Sequence, residues 1–194
     1  MIGITRALLS TEITKLKHTS TLWSSLIFPA LILMLPMINL IGEYTVWTPR
    51  SPRPLLDEWN TAIRPWWTIW TAALPLLIAM QTAGLANLEH EGRHWKQLYT
   101  LPIPRWSIFA AKIVVCGLLV GVNFLIFGVG VLGLGLLRSG LFHLNMASEI
   151  PWSMILRLAG RAYLASSAVI AIQMWLGMRV SGFAIPLGVA LGPQ

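Results

Sequence analysis

Four stretches of this chain run without a charged side chain over about the length needed to cross a bilayer: residues 19–42, 65–88, 113–137 and 162–178. A helix needs about 20 apolar residues to span some 30 Å of hydrocarbon. Inside lipid, a helix satisfies its own backbone hydrogen bonds. The pattern therefore predicts an all-α integral membrane protein, a polytopic helical bundle. With flanking residues added, the expected spans are 20–42, 65–88, 108–137 and 152–178. A fifth apolar run, 181–194, is too short to span and predicts an incomplete fifth helix, hence a piece of a longer protein.

Composition agrees. Of 194 residues, 56% are hydrophobic and 11% charged, against roughly 25% charged in a soluble domain. The net charge is +7, but the cations sit at the ends of apolar stretches, where they meet anionic lipid head groups. Membrane lipid is therefore the expected partner, and nucleic acid is not. Cys116 is the single cysteine, so no intrachain disulfide forms. The first apolar stretch is too long for a signal-peptide core.

Residues 1–19 place Leu9, Ile13 and Leu16 on one stripe among Arg6, Glu12, Lys15 and Lys17. This predicts an amphipathic helix in the membrane interface. Glu43 to Arg64 holds Pro49, Pro52 and Pro54 and reads as a loop with a short helix over 55–62. Arg138 to Ile150 reads as the other polar connection. Trp23, Trp47, Trp66, Trp67, Trp95, Trp106, Trp152 and Trp175 fall near expected span ends, where indole is favoured. Trp59 falls in the loop and Trp70 about a turn inside. With the N-terminus inside, Arg6, Lys15, Lys17, Arg93, Lys96, Arg105, Lys112 and Arg179 are cytoplasmic. Arg50, Arg53, Arg64 and Arg138 are outside, with Arg157 and Arg161 at the outer boundary. The bias makes the N-terminus cytoplasmic.

Between the second and third spans lies a polar segment, 89–106. Two readings compete for it. His90-Glu91-x-x-His94 has the spacing that sets two zinc-binding imidazoles on one helix face, with a carboxylate to activate water. A catalytic zinc needs a third protein ligand. Gln97 and Thr100 occupy the positions where a metzincin has Gly and His, and Glu149 and His143 fall on the opposite side of the membrane. Those residues leave an intramembrane metalloprotease as the weaker alternative. The second reading is a docking element: Glu89 and Glu91 carry paired carboxylates, Trp95 and Leu98 an apolar knob, and Pro102 and Pro104 end any helix. Arg105 and Lys112 then mark re-entry into the membrane.

Glu89-x-Glu91-Gly92-Arg93-x-Trp95-Lys96, then Leu98-x-x-Leu101-Pro102-x-Pro104-Arg105 and Ala111-Lys112, resembles the permease subunits of type-2 ABC transporters. Within them it is similar to the group associated with bacitracin and lantibiotic self-protection. Glu12-x-x-Lys15-x-Lys17 resembles that family's N-terminal cytoplasmic helix, and Gln173 to Phe183 its fourth span and following turn. Family members usually have six spans, two more than this chain completes. The resemblance implies a transport subunit, not an enzyme, in a bacterial inner or cytoplasmic membrane. Such a permease pairs with a second permease, identical or different, and with a separate ATPase subunit that binds ATP and Mg. Glu12, Lys15, Glu89, Glu91, Arg93, Trp95, Lys96 and Leu98 would then face the ATPase, and the substrate would be an antimicrobial peptide or similar amphipathic compound. The chain has no Gly-x-x-x-x-Gly-Lys-Ser/Thr, so no nucleotide cofactor is expected in it. An ion-coupled secondary transporter, or a membrane component that transports nothing, are the other readings.

Arg157 and Arg161 lie one turn apart on one helix face near the outer boundary. Charges there are costly and often functional, so they mark a candidate substrate path unless they snorkel to the interface. Asn39, near the outer end of the first span, needs a polar partner and belongs to the same candidate set. Pro29 and Pro36 should kink that span. Gly117 and Gly121, followed by Gly128, Gly130, Gly133 and Gly135, form a close-packing face, toward either a neighbouring span or a second copy.

Overall fold

The computed structural model describes Thr14 and residues 20–46, 53–91 and 105–179. Apart from Thr14, the expected interfacial helix 1–19 lies outside the described residues, as does the fifth apolar run, 181–194. The described residues form four long helices: α1 (Ser20–Thr45), α2 (Leu55–Glu91), α3 (Arg105–Phe142) and α4 (Trp152–Arg179). A 3-10 turn, Met146–Ser148, sits between α3 and α4, and there is no strand among the described residues. All four helices are long and apolar enough to cross a membrane.

Packing follows an ordered scheme. α1 contacts α2 and α3, α4 contacts α2 and α3, and α2 contacts α3 across the middle. The central pair, α2 and α3, is the more buried, while α1 and α4 turn broad apolar faces outward. Lipid solvates such faces, so no core is needed behind them. As successive spans, α1 begins, α2 ends, α3 begins and α4 ends on one side. That side is called proximal below, and the opposite side distal.

The distal connections differ from the sequence reading. Glu43–Thr45 belong to α1, and the expected loop and short helix over 55–62 are one continuous element with the second span, running through Pro65. Asp57 and Glu58 occupy its first turn, where carboxylates favour the helix dipole. The Pro54 carbonyl accepts from the amides of both residues, at 2.9 and 3.2 Å. Proline removes one backbone bond and disfavours helix before it. Burial of Trp59, Ile63 and Trp67 on the helix's inner face offsets that loss. Trp59, read as a loop residue, is fully buried; Trp67 and Trp70, read as interfacial or nearly so, are core. At 37 and 38 residues, α2 and α3 are each about 55 Å long and extend beyond a hydrocarbon layer of about 30 Å. α1 likewise continues through Pro29 and Pro36 as one helix.

Close-packing glycines serve these contacts within the chain. A Cβ on Gly130 would collide with Leu33, one on Gly84 with Thr21, and one on Gly135 would sit 2.5 Å from the Trp59 ring. Gly117 and Gly121 meet Tyr163, whose hydroxyl donates to the Gly117 carbonyl at 3.1 Å.

Candidate functional site

Polar side chains inside the bundle concentrate near its proximal end. Thr21 and Ser25 of α1, Gln81 and Thr82 of α2, Lys112 of α3 and Gln173 of α4 are all buried. Each lies within about three turns of the proximal end of its helix. Ser25 donates to the Thr21 carbonyl at 3.0 Å, and the Gln81 amide donates to Ser25 Oγ at 2.7 Å, tying α2 to α1. Thr82 is satisfied by its own helix, at the Ile78 carbonyl, 2.9 Å. The amide oxygens of Gln81 and Gln173 are buried without a hydrogen bond among the described residues. Unsatisfied acceptors in a membrane bundle are costly, which makes this layer the least settled part of the interior. Lys112, expected to mark membrane re-entry, is instead 1% exposed within the bundle, because α3 already begins at Arg105.

Aromatic rings fill the middle. Trp70 stacks on Phe127, with centroids 4.4 Å apart and planes 8° from parallel, and meets Phe124 edge-on at 5.9 Å. Trp67 tilts against Phe124 and Phe127 at 6.2 and 5.7 Å. Tyr163 of α4 closes the group edge-on against Phe124 at 5.9 Å. This plug blocks an aqueous route along the axis of the four described helices.

A distal cap covers the plug. Met146 is fully buried; its amide donates to Ser139 Oγ at 2.8 Å, and its carbonyl accepts the Trp59 indole N–H at 3.1 Å. The turn into it uses positive φ at His143 (54°) and Asn145 (51°), and the Leu144 amide bonds back to the Ser139 carbonyl at 3.0 Å. Beside the cap, Arg138 gathers three helices. Its Nε lies 3.1 Å from Glu43 Oε2 of α1, without the alignment of a hydrogen bond, and its Nη1 lies 3.4 Å from Glu58 Oε2 of α2. The guanidinium is also 6.0 Å from the centre of the Phe142 ring. Asn39, Glu43 and Arg138 line a small recess of about 30 Å³ between α1, α2 and α3.

A family model described as ABC-2 family transporter protein matches residues 8–191. The chain belongs to that family. No curated protein and no solved structure matches it significantly. Membership makes the bundle a multi-pass membrane permease of an ABC transporter, with an ABC ATPase subunit as its partner.

Within this ABC-2 permease, two of the residues expected to face the ATPase fall in a described helix. Glu89 and Glu91 belong to the last turn of α2. Arg93, Trp95, Lys96 and Leu98, and Glu12 and Lys15 near the N-terminus, lie outside the described residues, as does His94 of the alternative zinc motif. Among the described residues no three of His, Cys, Asp and Glu come together in a metal-holding group.

The expected substrate-path residues do not converge. Asn39 lines the distal recess. Arg157 and Arg161 lie on the exposed side of α4, with Arg157 Nε donating to the Ser153 carbonyl at 2.9 Å. Arg161 reaches a separate groove between α2 and α4. The Arg138 cluster went unforeseen, because each charge alone reads as a solvated loop residue. The one available signal was opposite charge on the two connections of the same side.

Proposed function

We propose that this permease is the membrane subunit of an exporter driven by a separate ATPase. Segment 89–106 is the coupling element, and the N-terminus and the proximal end lie in the cytoplasm. The observation that carries this reading is where the segment attaches. α2 ends at Glu91 and α3 begins at Arg105, so the segment joins the two central helices of the bundle. A push on it acts on the pair that holds the aromatic plug and the distal cap, whereas α1 and α4 are peripheral.

The plug fills the interior of the described bundle, which supports a translocation route between this permease and a second copy or homologous subunit. ATP and Mg bind in the ATPase, whose closure displaces the coupling segment. The substrate class rests on the likeness to bacitracin- and lantibiotic-protection permeases: an antimicrobial peptide or similar amphipathic compound.

The test is a mild-detergent purification of the tagged native protein from its own membranes. A stoichiometric ATPase that is lost from the Trp95→Ala variant establishes the coupling. Absence of any ATPase, with about one zinc per chain, overturns it in favour of His90-Glu91-x-x-His94.

A further inference from the structure

On the lipid side of α2 and α4 lies an open groove of about 370 Å³, within the roughly 300–1,000 Å³ typical of small-molecule sites. It exists because α4 offers small or short side chains, Ala162, Ala165 and Val169, opposite Leu74, Pro75 and Ile78 of α2. The two hydroxyls on its wall are already satisfied within their helices. Thr71 donates to the Trp67 and Thr68 carbonyls at 3.0 and 2.9 Å, and Ser166 to the Ala162 carbonyl at 2.8 Å. What remains is an apolar channel about 10 Å long, from Thr71 to Ile78. It has one charged side chain, Arg161, at its distal end. Arg157 stands one turn further out on the same face. Neither arginine has a carboxylate within ion-pair distance among the described residues: of the distal acids, Glu43 and Glu58 are engaged by Arg138, and Asp57 and Glu149 pair with neither arginine.

We propose that this groove holds one acyl chain of an anionic phospholipid from the distal leaflet, with its phosphate on Arg161. The occupant follows from charge and geometry. An intramembrane cation without a protein counter-ion needs an anion at the lipid interface. A wall stripped of free donors and acceptors takes hydrocarbon. A zwitterionic lipid would satisfy the wall, but its own cation competes with the arginine for its phosphate, and a free phosphate would leave the channel empty. This bound lipid is a resident of the permease, not its cargo, so the site stands independently of what the transporter exports.

Native mass spectrometry of the purified full chain reads the site directly. The probes are phosphatidylglycerol, phosphatidylcholine of the same acyl chains, and inorganic phosphate. The wild-type protein should retain phosphatidylglycerol about tenfold better than phosphatidylcholine, whose own choline cation competes with Arg161 for the phosphate. Arg161→Gln should abolish that preference. Ala165→Phe, which fills the groove and keeps the arginine, should release both lipids. Equal retention of the two lipids by the wild-type chain overturns the proposal without any variant. So does a preference that survives Arg161→Gln, or protection by phosphate equal to that by phosphatidylglycerol. Efficient Ala165→Cys cross-linking between copies with no lipid retained assigns the groove to a second permease instead.

Discussion

The Trp59 indole N–H donates to the Met146 carbonyl across 87 residues of chain, at 3.1 Å, while its ring lies flush against the backbone of Gly135. One side chain of α2 thus locks α3 and the 3-10 turn together at the distal end. Gly135→Ala would place a Cβ 2.5 Å from Trp59 Cζ3, and a fully buried indole cannot swing aside. Gly128→Ala meets nothing within 4 Å. Thermal unfolding in detergent should show a clear drop in Tm for Gly135→Ala and little change for Gly128→Ala. Trp59→Phe removes the hydrogen bond and part of the buried ring system and should cost about 2–3 kcal/mol, whereas Trp59→Ala should cost about 3–5 kcal/mol. Equal Tm values for Gly135→Ala and Gly128→Ala would refute the packing.

Arg138 presents a different asymmetry. Glu58 is mostly buried beside it, while the Glu43 side chain is 36% exposed. Removing the cation alone strands a carboxylate at the membrane boundary, so Arg138→Met should destabilise by about 2–3 kcal/mol. Glu43→Gln breaks only the wetter contact and should cost below about 1 kcal/mol. Neutralising all three positions together should recover most of the Arg138→Met loss, because no buried charge is then left alone. A triple variant no more stable than Arg138→Met would show that the cluster does not act as a unit.

Ser25 and Gln81 allow the same logic for neutral groups. The Gln81 amide has one partner, Ser25 Oγ, and its oxygen has none among the described residues. Ser25→Ala orphans the amide donors as well. Interhelical hydrogen bonds in membranes average only about 0.6 kcal/mol, so the loss should be small but should exceed that of Gln81→Leu, which removes the polar group altogether. Unfolding of the two single variants and the double variant in one detergent decides it. A double variant worse than the sum of the singles would overturn the pairing.

The four helices were legible because bilayer thickness imposes a length on uncharged sequence, and no tertiary knowledge is needed to see it. Their distal ends were not. Residues 55–64 hold Arg64 before Pro65 and several charges, which locally argue for a loop. Their helicity depends on Trp59 and Ile63 finding Gly135 and Met146, far along the chain. Arg138 failed for a related reason: a charge in a polar connection carries no local sign of whether it faces water or two glutamates. Lys112 read as a boundary residue because its window became uncharged only after it, although the helix had begun seven residues earlier. For the glycines, spacing marked close packing at Gly117, Gly121, Gly130 and Gly135 but wrongly extended it to Gly128 and Gly133, which meet nothing within 4 Å, and it gave no sign that Gly130 meets Leu33 while Gly117 meets Tyr163. The docking residues form a pattern in the sequence, and all of segment 89–106 between Glu91 and Arg105 lies outside the described residues.

The attachment of segment 89–106 to both central helices yields the sharpest functional prediction. Glu91 closes α2, at the attachment of segment 89–106. Lysine is also a good helix former and is favoured at a helix C-terminus. Glu91→Lys should therefore insert and fold as the wild type does, with Tm in detergent unchanged within about 1 °C. The same variant should lose co-purification of the ATPase and the resistance or export the complex confers. Trp95→Ala should reproduce the loss by removing the apolar knob while leaving the carboxylates in place. A charge-reversed ATPase surface selected to restore Glu91→Lys but not Trp95→Ala would assign the two residues to separate contacts. Normal assembly and transport in both variants would remove the coupling role from this segment and shift attention to the N-terminal residues Glu12 and Lys15.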